Sequence, residues 1–238
     1  MTARIAVAGL VPANQLLAGL RATDRRRLMA QCDPIELGFE EVLYEEGERI
    51  RYVYFPTASF VSLISAVDKN SNLEVGLIGS EGMLGSTLVL GVEVASLRAL
   101  VQGAGPALRL DAARFVRELK RSRPLRARLN LYLFVLITQL TQMAACAHYH
   151  LVEARLARWL LMTRDRAHSD EFRLTQEFLA YMLGVRRAGI TRAASNLQKR
   201  RLIRYSRGSM RILDARGLEA VTCECYTNAA QLYSRVMA

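Results

Sequence analysis

Three arginines, Arg186, Arg187 and Arg192, fall at the start of a helix-compatible segment in the last third of the chain. A guanidinium fork pairs bidentately with the O6 and N7 atoms of guanine, so arginines at the first turns of an exposed helix are suited to reading base edges in a major groove. Thr175, Gln176, Ser195, Lys199 and Arg207 lie around them. These side chains suit phosphate oxygens, which position a domain on a duplex without reading its sequence.

The elements that would carry these groups are legible between Phe172 and Leu213, FRLTQEFLAYMLGVRRAGITRAASNLQKRRLIRYSRGSMRIL. Thr175 is placed to cap a helix QEFLAYML, and Gly184 supplies a turn. A second helix, RRAGITRAASNLQKR, would bury Ile190, Ala194 and Leu197. Two strands follow, Leu202, Ile203 and Tyr205 in one and Met210, Ile212 and Leu213 in the other. With the polar RGS at 207 to 209 between them, they form a hairpin wing.

Charge is segregated in the same place. The chain carries a net +11 over 238 residues, yet residues 1 to 124 contribute only +1. Residues 151 to 216 hold 15 basic and six acidic side chains, a surplus of nine. A neutral front joined to a basic block is the electrostatic footprint of a module that meets a polyanion, with double-stranded DNA as the leading partner.

Before that block lies a long helix. Residues 129 to 152 contain no Asp, Glu, Lys or Arg and approach a bilayer-spanning length. Asn130, Thr138, Gln139, Thr141, Gln142, His148 and His150 are too many polar groups for hydrocarbon, so the expectation is a buried soluble helix and no membrane partner. Leu129, Leu133, Leu136, Leu140, Met143 and Ala147 alternate spacings of four and three, the pattern of a coiled-coil seam, and predict a homodimer interface. A second stripe, Phe134, Ile137, Thr138 and Thr141, would face another partner. Asp111 caps the helix before it, and Pro124 marks its start.

From Glu36 to about Leu110 short apolar or alternating runs separated by Gly, Asp, Asn and Ser predict a β-sandwich or barrel, with a hairpin turn at 68 to 72. One or two short helices around residues 13 to 31 precede it. Cys32, Cys146, Cys223 and Cys225 show neither a disulfide framework nor paired C-x-x-C spacing, and read as reduced cytosolic thiols. No export signal is apparent, so a cytoplasmic location is expected. No metal or other cofactor is expected.

Enzyme readings lack their residues. A metal-dependent barrel enzyme needs converging histidines, and His148, His150 and His168 all follow the barrel. An iron-sulfur sensor needs about four placed cysteines, and the front of the chain has only Cys32.

The order barrel, long helix, hinge and helix-turn-helix, together with LTQEFLAYMLGVRRAGITRAASNLQKRRLIRYSRGSMRILD, resembles the Crp/Fnr type of transcriptional regulator over nearly the full chain. That resemblance implies an α+β chain. A jelly-roll, cyclic-nucleotide-binding-like β-barrel spans 1–124, a dimerisation helix 125–150 and a winged helix-turn-helix DNA-binding domain 151–238. It places Arg187 and Arg192 at base-contacting positions. It also departs from the type: Ala188 stands where a glutamate is common, and Arg186 where a small capping residue is usual.

By the same resemblance Gly85 and Ser86 open the phosphate cassette of a ligand pocket, with Arg98 as a substitute charge and Thr141 and Gln142 contributed by the long helix. Glu93 replaces the phosphate-binding arginine, which argues against cyclic AMP. Two readings of the barrel stay open. It senses an unidentified small effector, or it works without a ligand by bracing the dimer or touching RNA polymerase.

Overall fold

Side-chain caps set several of the helix starts. In the computed structural model, which describes residues 14–68, 71–206 and 208–238, Asn14 accepts from Leu17 N to open α1 (Gln15–Ala18). The second short helix, α2 (Ala22–Met29), begins without a side-chain cap. Then come β1 (Asp33–Leu37), β2 (Val42–Tyr44), β3 (Tyr52–Pro56), β4 (Phe60–Asp68) and β5 (Ser71–Ile78). A 3-10 turn at Ser86–Leu90 precedes β6 (Arg98–Gly103) and β7 (Gly105–Asp111). The expected turn at 68 to 72 falls partly on residues 69 and 70, outside the described residues.

These strands make two antiparallel sheets, ordered β1-β7-β3 and β2-β6-β4-β5, which share one buried core. The arrangement is jelly-roll-like, with the sheets not joined into a closed barrel. Alternation explains the pairing: Val53, Phe55 and Leu110 point inward from one sheet, and Val61, Leu63, Ala99 and Val101 from the other.

Asp111 accepts from Arg114 N at 2.9 Å to start α3 (Ala112–Arg121). Ser122 accepts from Leu125 N at 3.2 Å to start α4 (Arg123–Tyr149), with Pro124 in its first turn. This 27-residue helix is long and apolar enough to cross a membrane by length and composition. It lies instead along the jelly roll, where the buried Tyr132 hydroxyl accepts from Met83 N and donates to Met83 O.

The seam assigned to a partner also faces the chain itself, with Leu129 and Leu133 buried and Leu136, Leu140, Met143 and Ala147 half-buried. Leu129 and Leu133 are 1 % and 7 % exposed, and Leu136 and Leu140 line a cavity with Ile78 and Met83. Met143 and Ala147 turn toward Glu74, Arg155 and Trp159. The stripe left outside holds Leu131, Phe134 and Ile137, 47 %, 55 % and 58 % exposed. The stripe through Leu129 and the one through Leu131, Phe134, Thr138 and Thr141 both alternate fours and threes, and the jelly roll takes the one richer in aliphatic bulk because that stripe fills its open side.

The helix breaks at His150 and Leu151, both extended, before α5 (Val152–Ala167). The remaining elements are β8 (Glu171–Arg173), α6 (Gln176–Leu183), α7 (Arg187–Lys199), β9 (Ile203–Ser206), β10 (Ser209–Ile212), α8 (Ala215–Glu219) and α9 (Cys225–Met237). A second buried core joins α5, α6, α7, α8 and the small sheet β8-β10-β9. The last helix leaves it: Leu232 and Met237 of α9 belong to the first core, and Arg128 of α4 donates to Met237 O.

The two cores are bonded as well as packed. Trp159 Nε1 on α5 donates to Glu74 Oε1 on β5 at 3.0 Å, and the Ser62 hydroxyl lies 2.6 Å from Glu74 Oε2. Arg166 on α5 pairs with Glu81. Burial pushes Glu74 up to about 7, against the pull of the Ser62 hydroxyl and of the Arg158 and Arg166 charges. A carboxyl held protonated by burial confers stability that is whole below its ordinary 4.5 and is lost as the pH rises through about 7. The shift corresponds to about 3 kcal/mol. Denaturant unfolding of the wild type is expected to show that loss between pH 5 and pH 8, and Glu74→Gln to flatten it. An identical pH dependence in the two proteins would contradict the assignment.

Candidate nucleic-acid interface

A Thr175 hydroxyl that accepts from Phe178 N at 3.0 Å begins α6, and Gly184 ends it in the left-handed region at φ 60°. The chain then turns directly into α7, whose first residue is Arg187 and whose cap position is Arg186 in an extended conformation. The expected helix 186 to 200 is therefore one residue shorter at each end. Ile190, Ala193, Ala194 and Leu197 fill the second core, because at 100° per residue they share one side of the helix.

The opposite side is open to solvent. Ala188, Thr191, Arg192 and Lys199 are exposed and Ser195 half-buried, and together they form one stripe. Arg187 and Arg192, five residues apart and about 140° around the axis, flank that stripe on its two edges. Neither arginine nor Lys199 takes part in an ion pair among the described residues. By contrast Arg200 is held by Glu153 of α5 at 3.5 Å, and Asn196 donates to the same carboxylate. The carboxylate thus ties Asn196 and Arg200 toward α5, while Lys199 on the open stripe stays exposed.

Of the flanking residues, Thr175 is exposed at its cap. Gln176 Oε1 accepts from the Thr191 hydroxyl at 2.8 Å, tying the first turn of α6 to the middle of α7. Thr191 was not among the residues singled out by sequence, although it sits one turn past Arg187. Its polar type on the exposed side was the signal. Arg207 lies outside the described residues. The wing has three strands where two were expected, since β8 at three residues is too short to show alternation; Met210 of β10 pairs with Phe172 on one side and Tyr205 on the other.

The segment from 154 to 221 matches the model of the Crp-like helix-turn-helix domain. Residues 154–221 are a Crp-like helix-turn-helix domain. The α6-turn-α7 unit and the β8-β10-β9 wing lie inside that match, and α9 lies outside it.

The described part of the chain shares its fold with solved structures of Crp/Fnr-family transcriptional regulators. A protein assigned to the Crp/Fnr family from Eubacterium rectale superposes with a TM-score of 0.70 at 16 % identity, over 87 % of this chain and 96 % of that one. The c-di-GMP responsive global regulator CLP of Xanthomonas campestris gives 0.66 at 16 % identity, over 81 % and 99 %. FixK2 from Bradyrhizobium japonicum gives 0.65 at 14 % identity, over 81 % and 98 %. Sequence comparison with curated proteins finds no match.

The residues proposed for a ligand pocket separate. Gly85 and Ser86 do line a cavity of about 110 Å³ under α4, together with Tyr44, Met83, Leu136 and Leu140. Gly85 adopts φ 81°, and a Cβ there would meet Val53 and the Tyr44 hydroxyl. Arg98 is not part of the lining: it runs along β6 beside Ile64 and pairs with Glu45 at 3.4 Å. Thr141 sits on the exposed side of α4, its hydroxyl donating to Ile137 O, and Gln142 faces a different cavity beside Glu74 and Arg158. Thr141 and Gln142 lie five and six residues past Leu136, about 140° and 240° around the helix, which carries both away from the cavity. Glu93 also points outward, bonded to Arg49 at 2.8 Å.

Gly184 carries the geometry of the Crp-like domain's turn. Besides its positive φ, a Cβ there would come within 2.9 Å of Leu73 on β5. Gly184→Ala is expected to lower the free energy of unfolding by about 1 to 2 kcal/mol, measured by urea denaturation. Unchanged stability would mean that the turn relaxes freely.

Proposed function

We propose that the chain is a DNA-binding transcriptional regulator, active in the cytoplasm and without enzymatic activity, that reads an inverted-repeat operator as a homodimer. The observation that carries this reading is the open near end of α7 in a Crp-like domain, with Arg187 and Arg192 free of acidic partners. In such a motif the second helix enters the major groove with its N-terminal residues on base edges. Arg187 and Arg192 then pair with guanines, Arg186 stands at the helix entry, and Thr175, Gln176, Ser195, Lys199 and Arg207 meet the phosphate backbone. The surplus of nine positive charges in residues 151 to 216 supplies the salt-dependent part of the affinity.

The dimer seam of this reading is the outer stripe of α4. Ala127, Leu131, Phe134, Thr138, Thr141, Ala145 and His148 alternate spacings of four and three along its exposed side. Thr138 and Thr141 return their hydroxyls to carbonyls one turn back, at 2.8 and 2.9 Å, so both can enter an interface with their donors satisfied. Two such copies place their α7 helices for half-sites about one DNA turn apart.

For the sensor, the cavity favours a barrel that works without a nucleotide. At about 110 Å³ it lies below the roughly 300–1,000 Å³ of pockets that take drug-sized ligands, and among the described residues no Lys or Arg lines it. The front half then braces the dimer or contacts RNA polymerase. A small, largely apolar effector is the alternative that this lining fits, with the Ser86 and Thr87 hydroxyls as its polar contacts.

Selection of bound duplexes from a random pool yields the operator on which two predictions are read. Arg187→Ala is expected to cost about 1–3 kcal/mol and relax preference at one base position, while Lys199→Ala weakens specific and random DNA alike. Equal losses on both DNAs for Arg187→Ala would refute its base-reading role. Phe134→Glu is expected to convert the dimer to a monomer in sedimentation and to abolish tight operator binding. A dimer that survives this change would remove the outer stripe from the interface.

A further inference from the structure

Three of the four cysteines and one histidine, in two pairs far apart in sequence, meet at the break between α4 and α5. Cys146 and His150 stand one turn apart at the end of α4, and Cys223 and Cys225 bracket the start of α9. Their ligand atoms all lie within 4.8 Å of one another. Cys146 Sγ is 3.6 Å from Cys223 Sγ, and Cys225 Sγ is 3.7 Å from His150 Nδ1. A tetrahedral zinc ion with sulfur at about 2.3 Å and nitrogen at about 2.0–2.1 Å requires edges of roughly 3.5–3.8 Å between its ligands. Two opposite edges of such a tetrahedron are therefore already at length.

A second observation concerns charge. Arg158 on α5 is 4 % exposed, and its Nε has no hydrogen-bond partner among the described residues. Among the described residues its Nη1 meets only the Met162 sulfur, at 3.2 Å. No carboxylate pairs with it within 4.0 Å among the described residues, and Glu74 bonds to Ser62 and Trp159 instead. A buried guanidinium whose neighbouring acid, Glu74, is out of contact and held toward its protonated form lacks a full counter-charge, which is costly. It lies within electrostatic reach of all three thiols. Three thiolates, a neutral imidazole and a divalent cation sum to −1, which supplies the missing counter-charge.

We propose that Cys146, His150, Cys223 and Cys225 form a closed, tetrahedral site for a single thiophilic divalent cation, zinc by preference. Soft sulfur donors without oxygen ligands exclude calcium and magnesium. Four protein ligands leave no position for water, so the site is structural. On binding, three S–H bonds break, three metal–sulfur bonds and one metal–nitrogen bond form, and three protons pass to solvent. The bound ion clips the end of α4 to the beginning of α9.

The test uses the full chain, reduced, stripped with a chelator and titrated with cobalt(II) and then zinc(II). The expected result is one cobalt per chain, with the strong visible bands of tetrahedral cobalt and near-ultraviolet thiolate-to-cobalt charge transfer, both erased by zinc. His150→Ala, at an exposed ligand, and Cys223→Ser are each expected to weaken zinc binding at least about tenfold. Cys32→Ser, remote from the cluster, is expected to leave stoichiometry and spectrum unchanged. Absence of the charge-transfer band in the reduced wild type, its persistence in both ligand variants, or iron-sulfur absorption in the isolated protein would overturn the assignment. So would a Cys146–Cys223 disulfide whose reduction fails to restore cobalt uptake.

Discussion

A helix with no Asp, Glu, Lys or Arg from Leu129 to its end at Tyr149 carries two apolar stripes, and the rest of the molecule is arranged around that constraint. The inner stripe is met by the jelly roll, with the Tyr132 hydroxyl bonded to both backbone atoms of Met83 as its fixed point. Because Tyr132 can satisfy both groups only at one rotation of α4, the outer stripe is aimed by the same bond. Rotation of the helix is thus decided inside the chain, and the direction of its free side follows.

The second dependency runs through β5. Glu74, buried at its centre, receives Trp159 from the second core, and Leu73 packs under the turn at Gly184. A buried acid at such a junction makes the association of the two cores sensitive to its ionisation, since separating them would return the carboxyl to water. Polar groups placed there specify one docking geometry where apolar packing alone would tolerate several.

Much of the fold was legible from periodicity and punctuation. Caps at Asp111 and Thr175, the start at Pro124 and the turn at Gly184 stand where the residue types put them, because each depends on its own few neighbours. What could not be read depends on distant parts of the chain. Leu129 and Phe134 both belong to four-three stripes, and only the jelly roll decides which one is covered. Arg98, Thr141 and Gln142 were carried to a pocket by resemblance, whereas strand register and helical phase direct them elsewhere. In the recognition unit, Ile190 and Leu197 were legible as buried and Arg187 and Arg192 as open. Glu153 holding Arg200 was not, since those residues meet only through the packing of α5 on α7. Cys146 and Cys223 are 77 residues apart, so their spacing matches no local metal motif.

The return of α9 to the first core changes how the Crp-like domain can travel. Its chain enters from α4 at His150 and leaves toward α9 at Cys223, two points that lie side by side. A body anchored at two adjacent points is built like a gate on a gatepost, and here Trp159 on Glu74 and Arg166 on Glu81 act as its latch. The arginines of α7 can leave their present distance from the first core only if those two contacts part.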